Sequence, residues 1–175
     1  MNSQPALKGQ DIVVALKLAL TLRGGFTYVT AASSLGLAPS RVHASVKMLL
    51  EARLAVGDTK NGVLINRARL LPLLIYGLPF FLPPLTGGIG RGMATAFELD
   101  EIREGILDDN RERYVWPDPA GSHRGVALAP LHSCVNIAAT NDATLYRSLM
   151  AIDAVRVGAI RERNIATSVL TKLFA

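Results

Sequence analysis

Between Pro39 and Ala52 the chain places Val42, Val46 and Leu49 at i, i+4 and i+7, with Ser40, Arg41, His43, Ala44 and Lys47 in the intervening positions. The first set has the spacing of a buried helical stripe, so the second set faces outward. Its members are small or basic. A helix carrying such groups can enter a duplex major groove without steric conflict, bond base edges and neutralise phosphates. This reading puts Ser40, Arg41, His43 and Ala44 nearest the bases and Lys47 nearest a phosphate. Thr27 and Tyr28, at the start of the preceding segment, and Lys60, in a turn beyond the helix, complete the predicted DNA-contact set.

A second group of residues could support different chemistry. His123, His132 and Cys134 lie close in sequence with Asp118 nearby, and a thiol beside imidazoles can act as a nucleophile pair or as metal ligands. Their spacing fits no established scheme, and the tract reads as a turn followed by a helix start, so a structural role is expected. A metal or redox sensor is the alternative. The adjacent acids Asp100-Glu101 and Asp108-Asp109 read as solvated. No Gly-Lys-Ser/Thr, Gly-x-Ser-x-Gly or His-Glu-x-x-His occurs, and neither catalysis, a cofactor nor a metal is predicted.

The elements that must position the outward face can be read in turn. Thr27 suits an N-cap, and Ala31 and Leu35 give a short helix one inward stripe. Gly36 can take the positive φ of a sharp turn, Leu37 fills the corner, and Pro39 fits the first turn of the next helix. Ala52 to Val56 then leaves the helix as a strand, Asp58-Thr59-Lys60-Asn61-Gly62 supplies turn chemistry, and Val63-Leu64-Ile65 returns. Upstream, Ile12, Leu16 and Ala19 mark an amphipathic helix from about residue 10 to 23, ended by Gly24-Gly25.

Residues from about 8 to 66, through the spacing Ala-x-x-x-Leu-Gly-Leu-x-Pro-Ser-x-Val-x-x-x-Val-x-x-Leu, resemble the winged helix-turn-helix domains of bacterial transcription regulators of the MarR, ArsR and Lrp kind. The resemblance covers roughly a third of the chain. It implies that the second of the paired helices docks in the major groove and that the wing tip touches backbone, roles that fall here to Arg41, His43, Lys47 and Lys60. With only two permanent cations on the reading helix, affinity per domain should be modest.

Charge is distributed to match. Up to Arg91 the chain holds ten Lys or Arg against three acids, net +7, whereas the remainder is net −2, giving +5 over 175 residues. Localised basicity of this kind suits phosphate neutralisation. Half the residues are apolar, enough for a proper core, and a single cysteine fits a reducing cytoplasm. The opening Met-Asn-Ser-Gln-Pro lacks the basic and apolar regions of a signal peptide.

Leu70 to Ile89 contains twenty residues without a charge, long enough to span a bilayer, but its four prolines and Gly-Gly pair argue against a span. Instead, Asn66 is expected to cap a helix from Arg67 to about Leu78, followed by an irregular Pro/Gly loop. Residues 97–109 read as a short helix or exposed loop, and Tyr114-Val115-Trp116 as a strand with Gly125 to Ala129 as its hairpin partner. Helices follow at 135–139, 142–157 and 160–174, with Gly158 as a break. The expected class is mainly α with a small β component. It divides into a winged helix-turn-helix over 1–66, an apolar linker over 67–96, and an α-rich region with a short β-hairpin over 97–175 that dimerises, senses a signal or binds a partner.

The expected function is a sequence-specific DNA-binding regulator, a dimeric repressor in the cytoplasm, with double-stranded DNA as partner and no membrane association. The terminal helical stripe is the favoured dimer seam, since a two-fold dimer doubles the phosphate contacts. Two alternatives stand beside it. In one, an antitoxin-like autoregulator binds a protein through its second half, using residues 70–89 and Trp116-Pro117-Asp118-Pro119. In the other, the winged helix mediates protein contacts only.

Overall fold

The computed structural model describes residues 6–21, 27–59, 62–106 and 112–175. The chain is mainly helical with two small sheets. The first helix, α1 (Gly9–Leu20), is closed at its start by Asp11, whose carboxylate accepts the Lys8 N–H at 2.9 Å. Ile12, Val13, Val14, Ala15 and Leu16 are all fully buried, a wider apolar surface than one amphipathic stripe. The reason is tertiary: α1 is covered from more than one side, by a neighbouring helix of the N-terminal half and by helices near the C-terminus. It ends at Leu20, short of Arg23, and the expected Gly24-Gly25 terminator lies outside the described residues.

Helix α2 (Tyr28–Leu35) starts where a hydroxyl can take an orphan donor: Thr27 Oγ1 accepts the Thr30 N–H at 3.0 Å, and the Thr30 hydroxyl oxygen accepts the Thr27 N–H at 3.1 Å. It stops at Gly36, whose φ of 63° is the left-handed conformation expected there, and the Leu37 N–H closes onto the Ala32 carbonyl. Pro39 then opens α3 (Pro39–Glu51), which buries Val42, Ser45, Val46 and Leu49. Fully burying a side chain such as Leu35 or Leu49 contributes about 1.5–3 kcal/mol, which pins α2 and α3 to α1. Strands β1 (Ala55–Asp58) and β2 (Gly62–Ile65) form an antiparallel hairpin running from Ala55 opposite Ile65 to Asp58 opposite Gly62.

Asn66 caps α4 (Arg67–Pro72) by accepting the Arg69 N–H at 3.2 Å, as its position implied. Between Pro72 and Pro79 the chain widens into a π-helical segment (Leu73–Gly77), then tightens into α5 (Leu78–Phe81). Two prolines explain the widening. Each lacks an N–H and crowds the carbonyl four residues back, so the Leu78 N–H reaches Leu73 instead. Among the described residues no helix is long and apolar enough to cross a membrane.

The Gly-rich tract expected to be an irregular loop is instead β3 (Thr86–Thr95), the longest strand described. A bend at Ala96–Glu98 leads to α6 (Asp100–Gly105), and β4 (Tyr114–Pro117) and β5 (His123–Leu128) follow. Both pair antiparallel to β3, β4 along Gly92–Thr95 and β5 along Thr86–Gly92. They therefore run parallel to each other and close a three-stranded barrel, not the expected hairpin. Gly92 makes closure feasible, since a Cβ there would lie 2.0 Å from the Trp116 carbonyl oxygen.

The C-terminal helices are α7 (Val135–Asn141), α8 (Ala143–Val157) and α9 (Ile160–Phe174), with Gly158 as the break. Asp142 caps α8 by accepting the Leu145 N–H at 3.0 Å. Every residue from Ser148 to Arg156 is buried, so α8 is the central rod of the chain's own core and its stripe is not free to act as a seam between copies. One connected apolar cluster runs from Ile12 to Phe174.

A buried polar knot fastens α8 to the barrel. Asp153 Oδ2 accepts from Thr95 Oγ1 at 2.9 Å and Trp116 Nε1 at 2.6 Å, while Arg156 donates to Asp153 Oδ1 at 2.7 Å. Arg156 also donates to the Leu82 and Pro83 carbonyls, both at 3.0 Å, satisfying backbone that the prolines leave without helical partners.

Candidate nucleic-acid interface

Helix α3 rests on α1 and α2 through one face and leaves the other to solvent. Ser40, Arg41, His43, Ala44 and Lys47 are all exposed, while Val42, Ser45, Val46 and Leu49 are buried. The two predicted sets therefore occupy opposite sides of the helix. The face has one acid near it on α3, Glu51 in the last turn.

Two contacts fix this helix that its own periodicity did not disclose. Gln10, in the first turn of α1, donates through Nε2 to Ser45 Oγ at 2.9 Å and to the Arg41 carbonyl at 3.4 Å. That bond explains how Ser45 is buried at little cost, because a buried hydroxyl needs a partner. The available signal was a polar side chain at the edge of an apolar helix and a serine, Ser45, that falls in phase with the apolar stripe of α3. Second, the Tyr28 ring stands 5.4 Å from the His43 ring at 55°, so Tyr28 braces a member of the exposed face from the adjacent helix. Partial burial, then the Asp58 charge at the hairpin end, raises the Tyr28 hydroxyl above its ordinary pKa.

Thr27 is exposed, but its hydroxyl is engaged in capping α2. Lys60, the predicted wing-tip contact, lies outside the described residues. The basic excess of the N-terminal half also does not translate wholly into phosphate-facing charge. Lys17 is neutralised by Asp142 at 2.8 Å, and Arg67 spans from the Ala19 carbonyl at 2.6 Å to the Ala175 carbonyl at 3.4 Å.

The tract bearing His132 and Cys134 approaches the same face. His132 Nδ1 accepts the Cys134 N–H at 3.2 Å, which leaves the ring proton on Nε2. Burial, with Arg41's charge adding to it and Asp11 opposing, lowers the His132 pKa. Cys134 is buried, and burial pushes its thiol up to about 11, so it is a packed apolar group and not a nucleophile near neutrality. His123 is on β5 with Ser122 Oγ 3.0 Å from its Nδ1, and the Asp118 carboxylate accepts the Ala120 N–H at 2.9 Å. Among the described residues no three His, Cys, Asp or Glu side chains gather as a metal site requires.

Of the surfaces expected to serve a protein partner, Trp116 is only 1% exposed and bonded to Asp153, so it cannot contribute. Tyr76 and Phe80 are exposed, beside a recess of about 480 Å³ between the π segment and α9. Comparison with protein-family models, curated proteins and solved structures found no match.

Proposed function

We propose that the chain is a sequence-specific DNA-binding regulator in which residues 9–65 act as a winged helix-turn-helix and α3 reads the major groove. The observation carrying this reading is the exposed face of α3. Small and basic side chains line it, its opposite side is buried on α1 and α2, and a two-stranded hairpin follows it. Arg41, near the N-terminal end of the helix, takes the base-edge role. His43, braced by Tyr28, and Ser40 and Ala44 line the same surface, and Lys47 neutralises a phosphate. Lys60, which lies between the two strands in sequence, takes the backbone contact that the resemblance assigns to the wing. Two exposed cations on one reading helix support only modest affinity, which favours a two-fold dimer repressing at paired half-sites.

With α8 spent on the chain's own core, the exposed Tyr76 and Phe80 are the surface proposed to meet a second copy. The same aromatics support the second reading, an autoregulator whose second half binds a different protein. Selection of bound fragments from the source genome, followed by gel shifts with the parent, Arg41→Ala and Lys47→Ala, tests the principal reading. Enrichment of a paired motif and weakened binding in both variants are expected. Absence of any bound fragment at low ionic strength overturns it.

A further inference from the structure

The barrel carries a feature that the DNA reading does not use. On the β3–β5 ladder Arg91 lies directly opposite Arg124, with Gly92 opposite His123 and Ile89 opposite Val126. Residues so paired project from the same face of the sheet with Cα atoms only about 4.5–5.5 Å apart, and like charges placed there repel. Among the described residues no ion pair offsets that repulsion. Both arginines are exposed, and among the described residues neither lies within ion-pair distance of a carboxylate. The nearest acid in sequence, Asp118, donates its backbone N–H to the Arg91 carbonyl, and its carboxylate accepts the Ala120 N–H.

Around this pair is a recess of about 220 Å³ lined by Ile89, Gly90, Arg91, Ser122, His123 and Arg124. Gly88 and Gly90 border open space, so no side chain obstructs an approach to the backbone. Ser122 Oγ and the His123 ring, 3.0 Å apart, add further polar groups at the same end of the strand. Two guanidinium groups within reach of one point match a multiply charged tetrahedral oxyanion, because each can offer a pair of parallel N–H donors.

We infer that this recess binds the phosphoryl group of a small phosphorylated ligand, held between Arg91 and Arg124. A small ligand is favoured over a polymer backbone because the recess is concave and limited to one short stretch of two strands. Bound there, a dianion removes the repulsion across the ladder and ties β3 to β5. The barrel is in turn joined to α8 through Thr95 and Trp116.

The inference stands apart from the reading of α3, and its test separates the two. The intact protein is titrated with inorganic phosphate by calorimetry and, in a separate arm, with a non-cognate duplex by anisotropy. The expected result is saturable phosphate binding that weakens at least tenfold in Arg91→Gln and in Arg124→Gln and is unchanged in Lys172→Gln, with duplex binding unaffected. Each arginine variant, freed of the like-charge pair, should also melt above the parent when phosphate is absent. Phosphate affinity unchanged in the double Arg91→Gln/Arg124→Gln variant, or no saturable phosphate binding by the parent, overturns the inference. So does loss of duplex binding alone, which assigns the arginines to nucleic acid. Melting below the parent in both single variants refutes the repulsion on which it rests.

Discussion

Lys47→Ala should weaken DNA binding most at low salt and make it less sensitive to added salt. Lys47 is exposed on α3, one turn beyond His43 and well clear of the buried Val42, Val46 and Leu49, so its removal should leave the fold intact. Each phosphate neutralised contributes about −0.9 to the slope of log affinity against log salt. One such contact per half-site makes the variant's slope shallower by about 1.8 in a two-fold complex. Over a fourfold rise in salt the parent then loses roughly tenfold more affinity than the variant. Fluorescence anisotropy of a labelled selected duplex across a salt series reads this directly, with Lys172→Ala on α9 as an exposed cation distant in sequence. Parallel salt lines for parent and Lys47→Ala would refute the assignment of Lys47 to a phosphate, whatever the absolute affinities.

Arg41→Ala should lose about 1–3 kcal/mol on the selected sequence and much less on a scrambled duplex, by competition anisotropy, since a base contact discriminates and a phosphate contact does not. Gly36→Ala should destabilise by about 1–2 kcal/mol for the left-handed backbone alone, measured by urea unfolding, because Gly36 has φ 63°. Its new Cβ would also sit 2.9 Å from two Ile137 side-chain atoms, so adding Ile137→Ala should recover only the steric part. Asp153→Asn should cost about 3 kcal/mol or more, since it leaves the buried Arg156 cation uncompensated; near-parental stability would remove the knot from the account of the fold. Asp142 is opposed by burial, but the Lys17 bond and the Leu145 and Thr144 N–H groups together hold its pKa below 3.8. The stability it contributes is therefore present above that pH and is lost as pH falls through the lower, folded value. Asp142→Asn keeps a helix cap and should cost about 1 kcal/mol, Asp142→Ala about 2, by thermal melts at neutral pH, with the difference between parent and variants shrinking in acid.

The N-terminal third was legible because its signals are local. Thr27, Gly36, Pro39 and Asn66 each act on the backbone within four residues of themselves, and the α3 stripe needs only the helical repeat. Strand β3 was not legible, because Gly87, Gly88, Gly90 and Gly92 have low strand preference and the strand exists through pairing with residues 114–128, far along the chain. The same holds for β4 and β5, whose proximity in sequence suggests a hairpin although β3 pairs with each of them. In α8, nothing local in the sequence marks Asp153 and Arg156 as a buried pair. Only the packed structure shows that Trp116, Thr95 and the 82–83 backbone take up their hydrogen-bonding capacity. Within the exposed face of α3 the residue types were evident, whereas the supports, Gln10 and Tyr28, depend on how three helices meet.

Whether α3 meets DNA through its exposed face is tested most directly by amide NMR spectra of the isotope-labelled protein titrated with a selected duplex. Shifts or broadening concentrated at Ser40, Arg41, His43, Ala44 and Lys47 are the predicted result. Unchanged resonances for those residues at saturating duplex, with the perturbation confined to the barrel or to α9, would contradict it.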